Sequence, residues 1–258
     1  MKKVCLVIGA GAGIGGSVGR KFAQAGYHAA LCRRSDAAGL AQMVANIQDE
    51  GGSASGHLLN AVEDNAIEDL VEAAEAIGPV DVVLFNLGAQ IGNRSLGDTT
   101  LKNFELGWRM ACFGLFRLAK AVIPHMEARG GGTLLVTSAT AAVRGNAGQH
   151  SHAAAMGGRR MLCQTLNAEH AAKGIHVAHI LIDGAVDAPD TLGKMLGPER
   201  FAQLREQLGN DKDGLLLPEQ MAETYFHIAH QHRSAWTHEI DLRSYSDLAW
   251  WNHETRLP

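Results

Sequence analysis

A run of glycines near the start of the chain has the chemistry of a phosphate-binding turn. The residues Gly9-Ala10-Gly11-Ala12-Gly13-Ile14-Gly15 directly follow a short apolar segment, residues 4–8, and open a pattern typical of a helix. Glycines let the backbone bend sharply and approach a pyrophosphate, and the N–H groups at the start of a helix bind its negative charge. A dinucleotide-binding motif requires a strand before it and a helix after it. Because the sequence indicates both here, we expect Gly9, Gly13, Ile14 and Gly15 to bind a dinucleotide.

Two arginines follow the second apolar segment, residues 28–32. A site that prefers NAD places a carboxylate at this point for the ribose hydroxyls, whereas a site that prefers NADP places a cation there for the 2′-phosphate. The chain has Arg33, Arg34 and Ser35 at this point. Because a planar guanidinium binds phosphate through two hydrogen bonds, the pair predicts NADP(H) in preference to NAD(H).

These residues must be positioned by alternating strands and helices. Short apolar runs, most of them bounded by Gly, Pro, Asn or Asp, predict strands at 4–8, 28–32, 55–59, 80–86, 132–138, 176–182 and 236–242. The stretches between them predict helices at 13–25, 37–50, 65–77, 101–128, 152–173 and 218–230. Since parallel strands need helical crossovers, this order predicts an α/β fold, a doubly wound parallel sheet of about seven strands, in one domain over residues 1–258. Residues 187–217 are expected to form a partly helical, lid-like segment.

Several motifs resemble those of the short-chain dehydrogenase/reductase family. The glycines have the spacing Gly-x-x-x-Gly-x-Gly at Gly9, Gly13 and Gly15. Asn86 and Gly88 match the end of the family's Asn-Asn-Ala-Gly motif, which follows the fourth strand. The resemblance implies a Rossmann-like fold that binds NAD(P), and it adds Asn86 and Gly88 to the expected cofactor site.

The resemblance continues along nearly the whole chain and implies further cofactor contacts. Residues 145–149 are similar to the segment between the family's catalytic Ser and Tyr, and Gly184 matches the glycine of its Pro-Gly turn. Asn60 stands where the family commonly has an Asp near the adenine. The resemblance also assigns Arg33, or else Arg34, to the 2′-phosphate.

The catalytic residues of the family are replaced in this chain. The family uses a Tyr and, four residues later, a Lys on one helix to exchange a proton as hydride moves, with a Ser and an Asn in support. None of the three tyrosines is followed by Lys at that spacing. The aligned Tyr, Lys, Ser and Asn positions hold His152, Met156, Ala139 and Ala111. His152, with an ordinary pKa of about 6.5, is the candidate acid or base. Ser138 is a candidate for orienting a carbonyl, with Thr140, Ser151 and His150 as alternatives.

Three functions remain open. The first is an oxidoreductase of the short-chain dehydrogenase type that acts on an unknown small carbonyl or alcohol with atypical or weak catalysis. The second is a nucleotide-binding protein without turnover, a sensor or partner subunit. The third is a scaffold whose nucleotide site is vestigial. The intact glycine run argues against the third, and the four replaced residues argue against ordinary turnover.

Composition excludes several other classes of protein. With 46% hydrophobic and 19% charged residues the chain is not of the disordered class, and a net charge of −4 argues against a nucleic-acid partner. Four scattered cysteines without a CxxC pair favour a reduced, cytoplasmic protein without structural metal. No stretch approaches the roughly 18 apolar residues of a membrane span. The resemblance implies pairing through helices 101–128 and 152–173, and hence a homodimer or homotetramer.

Overall fold

Parallel strands alternate with helices along the whole chain. A computed structural model describes residues 1–88, 94–209 and 212–252. In these ranges the strands are β1 Val4–Ile8, β2 His28–Arg33, β3 Ser53–Leu58, β4 Val80–Phe85, β5 Gly132–Ala139, β6 Ile175–Ile182 and β7 Glu239–Leu242. The helices are α1 Ile14–Gln24, α2 Ala37–Asp49, α3 Ala66–Ile77, α4 Leu101–Trp108, α5 Gly114–Ala128, α6 His150–His170, α7 Lys194–Leu196, α8 Pro198–Leu208 and α9 Pro218–Ala229.

The strands form one sheet with a reversal in its order. In the described part of the chain the order is β3-β2-β1-β4-β5-β6-β7, and every neighbouring pair is parallel. The chain builds outward from β1 in one direction and then returns to add β4 on its other side. Such a point leaves a crevice at the carboxyl ends of the strands, where ligands bind. The prediction of a doubly wound parallel sheet of about seven strands is confirmed.

Two layers of helices cover the sheet, so its central strands are apolar on both faces. All five residues of β1 are buried. Leu6 packs on one face in a cluster with Leu118 of α5, and Val7 packs on the other face in a cluster with Phe22 of α1. Because successive side chains of a strand point to opposite faces, a short continuous apolar run fills both cores.

The helix predicted over 101–128 is interrupted. A π-helical turn, Arg109–Phe113, separates α4 from α5. Within this turn the carbonyl of Ala111 accepts a hydrogen bond from Arg159 Nε on α6, at 2.9 Å. A wider turn exposes backbone carbonyls to side-chain partners, and such turns are frequent at functional sites.

The predicted lid-like segment is partly helical and begins over the glycine run. It contains a second π-helical turn, Pro189–Gly193, followed by α7 and α8. A single parallel bridge between Val186 and Leu216 joins its two ends. Its role as a lid stays a prediction. None of the helices in the described ranges is long and apolar enough to cross a membrane.

Candidate active site

A cavity of about 550 Å³ lies at the carboxyl ends of the central strands. It collects the residues that the sequence predicted for cofactor binding and catalysis, with one exception. Those that line it are Gly9, Gly13, Ile14, Gly15, Arg33, Arg34, Asn60, Asn86, Gly88, Ser138 and His152. The exception is Gly184, which is not among the lining residues and lies close to Leu216 and Asp247 instead.

At Gly9 and Gly15 the glycine run is packed so tightly that a side chain is excluded. Gly9 has φ of +101°, and a Cβ at this residue would lie 2.8 Å from the carbonyl oxygen of Asn86. A Cβ at Gly15 would lie 2.2 Å from the carbonyl oxygen of Gly9. The side chain of Asn86 stabilises the turn, since its Nδ2 donates to the carbonyl oxygen of Gly9 at 3.0 Å. Such a bare turn at the start of a helix fits the pyrophosphate of a dinucleotide.

The two arginines at the end of β2 differ in their surroundings. The guanidinium of Arg33 contacts the carboxylate of Asp36 at 3.2 Å and that of Asp190 at 3.1 Å, and its side chain is 13% exposed. Arg34 is exposed at the rim of the cavity. Asn60, on the same side, donates from Nδ2 to Glu63 Oε1 at 3.0 Å. This end of the cavity therefore offers two cations, one already balanced by carboxylates.

Asp190 brings a carboxylate to the glycine run, and sequence reasoning missed it. Its Oδ2 accepts the backbone N–H of Ala12 at 2.9 Å and a guanidinium N–H of Arg33 at 3.1 Å. The ammonium of Lys194 lies 3.4 Å from its Oδ1. The hydrogen bond from Ala12, together with the two cations, lowers the pKa of Asp190. The carboxylate is therefore ionised at neutral pH.

The opposite end of the cavity holds the candidate catalytic residues. Ser138 is buried near the end of β5, and its hydroxyl donates to the Met156 thioether at 3.7 Å. His152, on the first turn of α6, has a buried Nδ1 without a hydrogen-bond partner among the described residues. Burial, and then the nearby charge of Arg159, lower the pKa of His152. Its imidazole is therefore neutral at neutral pH.

Arg159 is a second residue that sequence reasoning missed. It is 1% exposed and lines the cavity beside His152 and Met156. These three residues have the spacing i, i+4, i+7, which places them on one face of α6. That spacing indicates that Arg159 shares the helix face of His152. Because arginine is rarely buried, an arginine in a helix is ordinarily interpreted as a surface residue.

The guanidinium of Arg159 is held by backbone carbonyls. Nε donates to Ala111 at 2.9 Å, Nη2 donates to Leu87 at 2.6 Å, and Nη1 donates to Thr137. Its carbon lies 5.0 Å from the ring centre of Phe85. Within the described ranges no carboxylate pairs with it. Burial lowers the pKa of Arg159 to about 10, so a full positive charge lies beneath this end of the cavity at neutral pH.

The arrangement combines two kinds of chemistry. The glycine run and the arginines form an anion-binding end, with Asp190 as its present anion. The other end offers a hydroxyl, a neutral imidazole and a buried cation. A neutral imidazole can accept a proton at one ring nitrogen and donate a hydrogen bond from the other. A buried charge stabilises nearby negative charge more strongly than an exposed one.

Comparison with known proteins agrees with this geometry. Residues 3–191 match the family model for short chain dehydrogenase. The chain is 31% identical over 237 residues to the short-chain reductase protein NovJ of Streptomyces niveus, covering 88% of this chain and 87% of that protein. It is also 31% identical over 219 residues to the peroxisomal multifunctional enzyme type 2 of Mus musculus, but the match spans only 29% of that enzyme and 78% of this chain. The crystal structure of a short-chain dehydrogenase from Rhodopseudomonas palustris has a TM-score of 0.78 and 32% identity, covering 94% of this chain and 99% of that chain.

Proposed function

The chain belongs to the short-chain dehydrogenase family, and from this premise we propose that it is an NADP(H)-preferring cytoplasmic oxidoreductase of a small carbonyl or alcohol, with weak and atypical catalysis. The observation that carries the proposal is the single cavity that joins a bare glycine turn to a buried hydroxyl, an imidazole and a cation. The first part suits the phosphates of a dinucleotide, and the second suits a polar substrate oxygen.

The residues of the anion-binding end hold the cofactor. The glycine run and the first N–H groups of α1 bind the pyrophosphate, and Arg34 or Arg33 binds the 2′-phosphate. Asn60, Asn86 and Gly88 complete this wall of the cavity. When bound, NADP(H) supplies or accepts the hydride.

The residues of the other end act on the substrate oxygen. The hydroxyl of Ser138 gives up only a thioether, a weak acceptor, when it turns to donate to a carbonyl. In oxidation the neutral imidazole of His152 accepts the proton of the alcohol and becomes imidazolium, and in reduction the imidazolium returns that proton to the substrate oxygen. Loss of an optimally tuned general acid costs about 10²–10⁴ in rate, so we expect turnover to be slow.

Cofactor preference is tested by titrating the protein with NADPH and NADH and following nucleotide fluorescence. We expect NADPH to bind more tightly, and Arg34→Gln to weaken NADPH while leaving NADH unchanged. A dinucleotide at a hundredfold excess over Kd also stabilises the fold by about 2.7 kcal/mol, which melting curves detect. Equal affinities contradict the preference for NADPH. A failure of both dinucleotides to bind contradicts the proposed function.

Activity is tested on a panel of aldehydes, ketones and alcohols with both cofactors between pH 5 and 9. We expect slow turnover that His152→Phe abolishes. His227→Phe is the matched control, because His227 is an exposed histidine on α9 that does not line the cavity. Turnover that survives His152→Phe contradicts the role of His152. Dinucleotide binding without turnover of any substrate identifies a nucleotide-binding protein that is not an enzyme.

A further inference from the structure

The carboxylate of Asp190 occupies the position of an anion at the glycine run. It accepts the N–H of Ala12, a residue in the middle of the run, and it is paired with Arg33 at the end of β2. A Cβ on Gly11 would lie 3.5 Å from the same carboxylate oxygen, so Asp190 lies directly against the turn. A backbone amide and a guanidinium are the donors that a phosphate uses at such a turn.

The neighbouring backbone of the lid-like segment lies on the same turn. A Cβ on Gly13 would lie 2.8 Å from the Cβ of Ala188. Residues 188–190 of the lid-like segment therefore cover the glycine run, and Asp190 is the charged residue that contacts it. The π-helical turn Pro189–Gly193 presents this carboxylate, and Lys194 on the next turn lies beside it.

We propose that Asp190 is an internal ligand of the phosphate site, which competes with the cofactor for Ala12 and Arg33 and thereby sets both the affinity for dinucleotides and the preference between NADPH and NADH. The inference rests on the proposed function, since it takes a dinucleotide as the competing ligand. A dinucleotide displaces the carboxylate from Ala12 in either case. With Arg33 as the ligand of the 2′-phosphate, NADPH also needs its guanidinium, so Asp190 opposes NADPH more than NADH.

The test is Asp190→Asn, which keeps the shape of the side chain and removes its charge. We expect NADPH to bind about tenfold more tightly to this variant, the equivalent of one charge-assisted hydrogen bond. The gain for NADH is expected to be smaller. Glu199→Gln is the matched control, because it removes the same charge from an exposed residue of the same segment; this control is expected to leave both affinities unchanged.

Two outcomes overturn the proposal. Equal gains in Asp190→Asn and Glu199→Gln assign the effect to net charge and not to competition at the glycine run. Weaker binding in Asp190→Asn shows that the carboxylate supports the turn and does not compete for it.

A second measurement separates this inference from the proposed function. Inorganic pyrophosphate is titrated into both proteins while the backbone amide resonance of Ala12 is followed by NMR. We expect the Ala12 resonance to shift in unliganded Asp190→Asn, and pyrophosphate to bind this variant more tightly than the wild-type chain. Those results hold even if no dinucleotide binds. An unchanged Ala12 resonance together with an unchanged pyrophosphate affinity overturns the inference.

Discussion

Replacement of Arg159 separates the structural role of its guanidinium from the effect of its charge. In Arg159→Met the charge and all three hydrogen bonds to Ala111, Leu87 and Thr137 are lost. In Arg159→Lys the charge is kept, but a single ammonium cannot reproduce the three hydrogen bonds of the planar guanidinium. We therefore expect both variants to be less stable than the wild-type chain, and only the Met variant to change the titration of His152.

The loss of stability follows from the three carbonyls. Each buried carbonyl that loses its donor costs about 1–3 kcal/mol. Removal of a buried charge recovers several kcal/mol of desolvation, so the net loss for Arg159→Met is about 2–5 kcal/mol. At this chain length the melting temperature falls by roughly 5–15 °C. Arg159→Lys keeps the cost of burying a charge and is expected to lose at least as much.

The two variants are expected to differ in the pKa of His152. Burial lowers the pKa of His152 first, and the positive charge of Arg159 lowers it further. The pKa of His152 is therefore expected to rise towards its ordinary value in Arg159→Met and to stay low in Arg159→Lys. An NMR titration, with the resonance assigned through His152→Phe, measures it. An unchanged His152 pKa in the Met variant, or a Met variant as stable as the wild-type chain, refutes the reasoning.

Three further predictions concern the turn, acid stability and assembly. Gly15→Ala is expected to remove most of the dinucleotide affinity because its Cβ would lie 2.2 Å from a carbonyl oxygen, whereas Gly11→Ala, with its nearest contact at 3.5 Å, is expected to bind normally in the same titration. Burial lowers the pKa of the fully buried His179 to about 4, so the unfolded chain binds more protons than the native one between pH 6.5 and 4. This residue should lower the free energy of unfolding by about 3 kcal/mol as the pH falls through that window. Urea unfolding of His179→Leu should show a shallower decrease of this free energy with falling pH. A decrease equal to that of the wild-type chain contradicts the assignment to His179. Light scattering is expected to show a homodimer or homotetramer, since Trp108 and Phe116 are 42% and 48% exposed on the helices that the family pairs; a 27.5 kDa particle refutes this.

The features that the sequence predicted are those encoded locally. The glycine run and β1 are adjacent in the chain, and their residue types alone determine a bare turn after a buried strand. The order of strands and helices then constrains the sheet, because parallel strands admit few connections. The boundaries were less well predicted: the strand predicted over 236–242 begins at Glu239, after a 3₁₀ turn at Arg233–Ala235.

The features that the sequence did not predict depend on distant contacts. Asp190 meets Ala12 across 178 residues, and nothing in the local sequence of Asp190 indicates its destination. The charge of Arg159 is buried because three carbonyls from separate elements converge on it, including one released by the π-helical turn. Gly184 matched a motif but is absent from the lining of the cavity, since a motif fixes backbone shape and not its distance from a ligand.

The position of Arg159 affects what an introduced Tyr and Lys could do on α6. The pair of variants His152→Tyr and Met156→Lys would place an ammonium one helical turn from a guanidinium that, in the described part of the chain, is already buried without a carboxylate. Like charges in a medium of low dielectric repel strongly, so the new lysine would be driven towards its neutral form. A charged lysine at position 156 would therefore also require the loss of Arg159, and with it the hydrogen bonds to Leu87, Ala111 and Thr137.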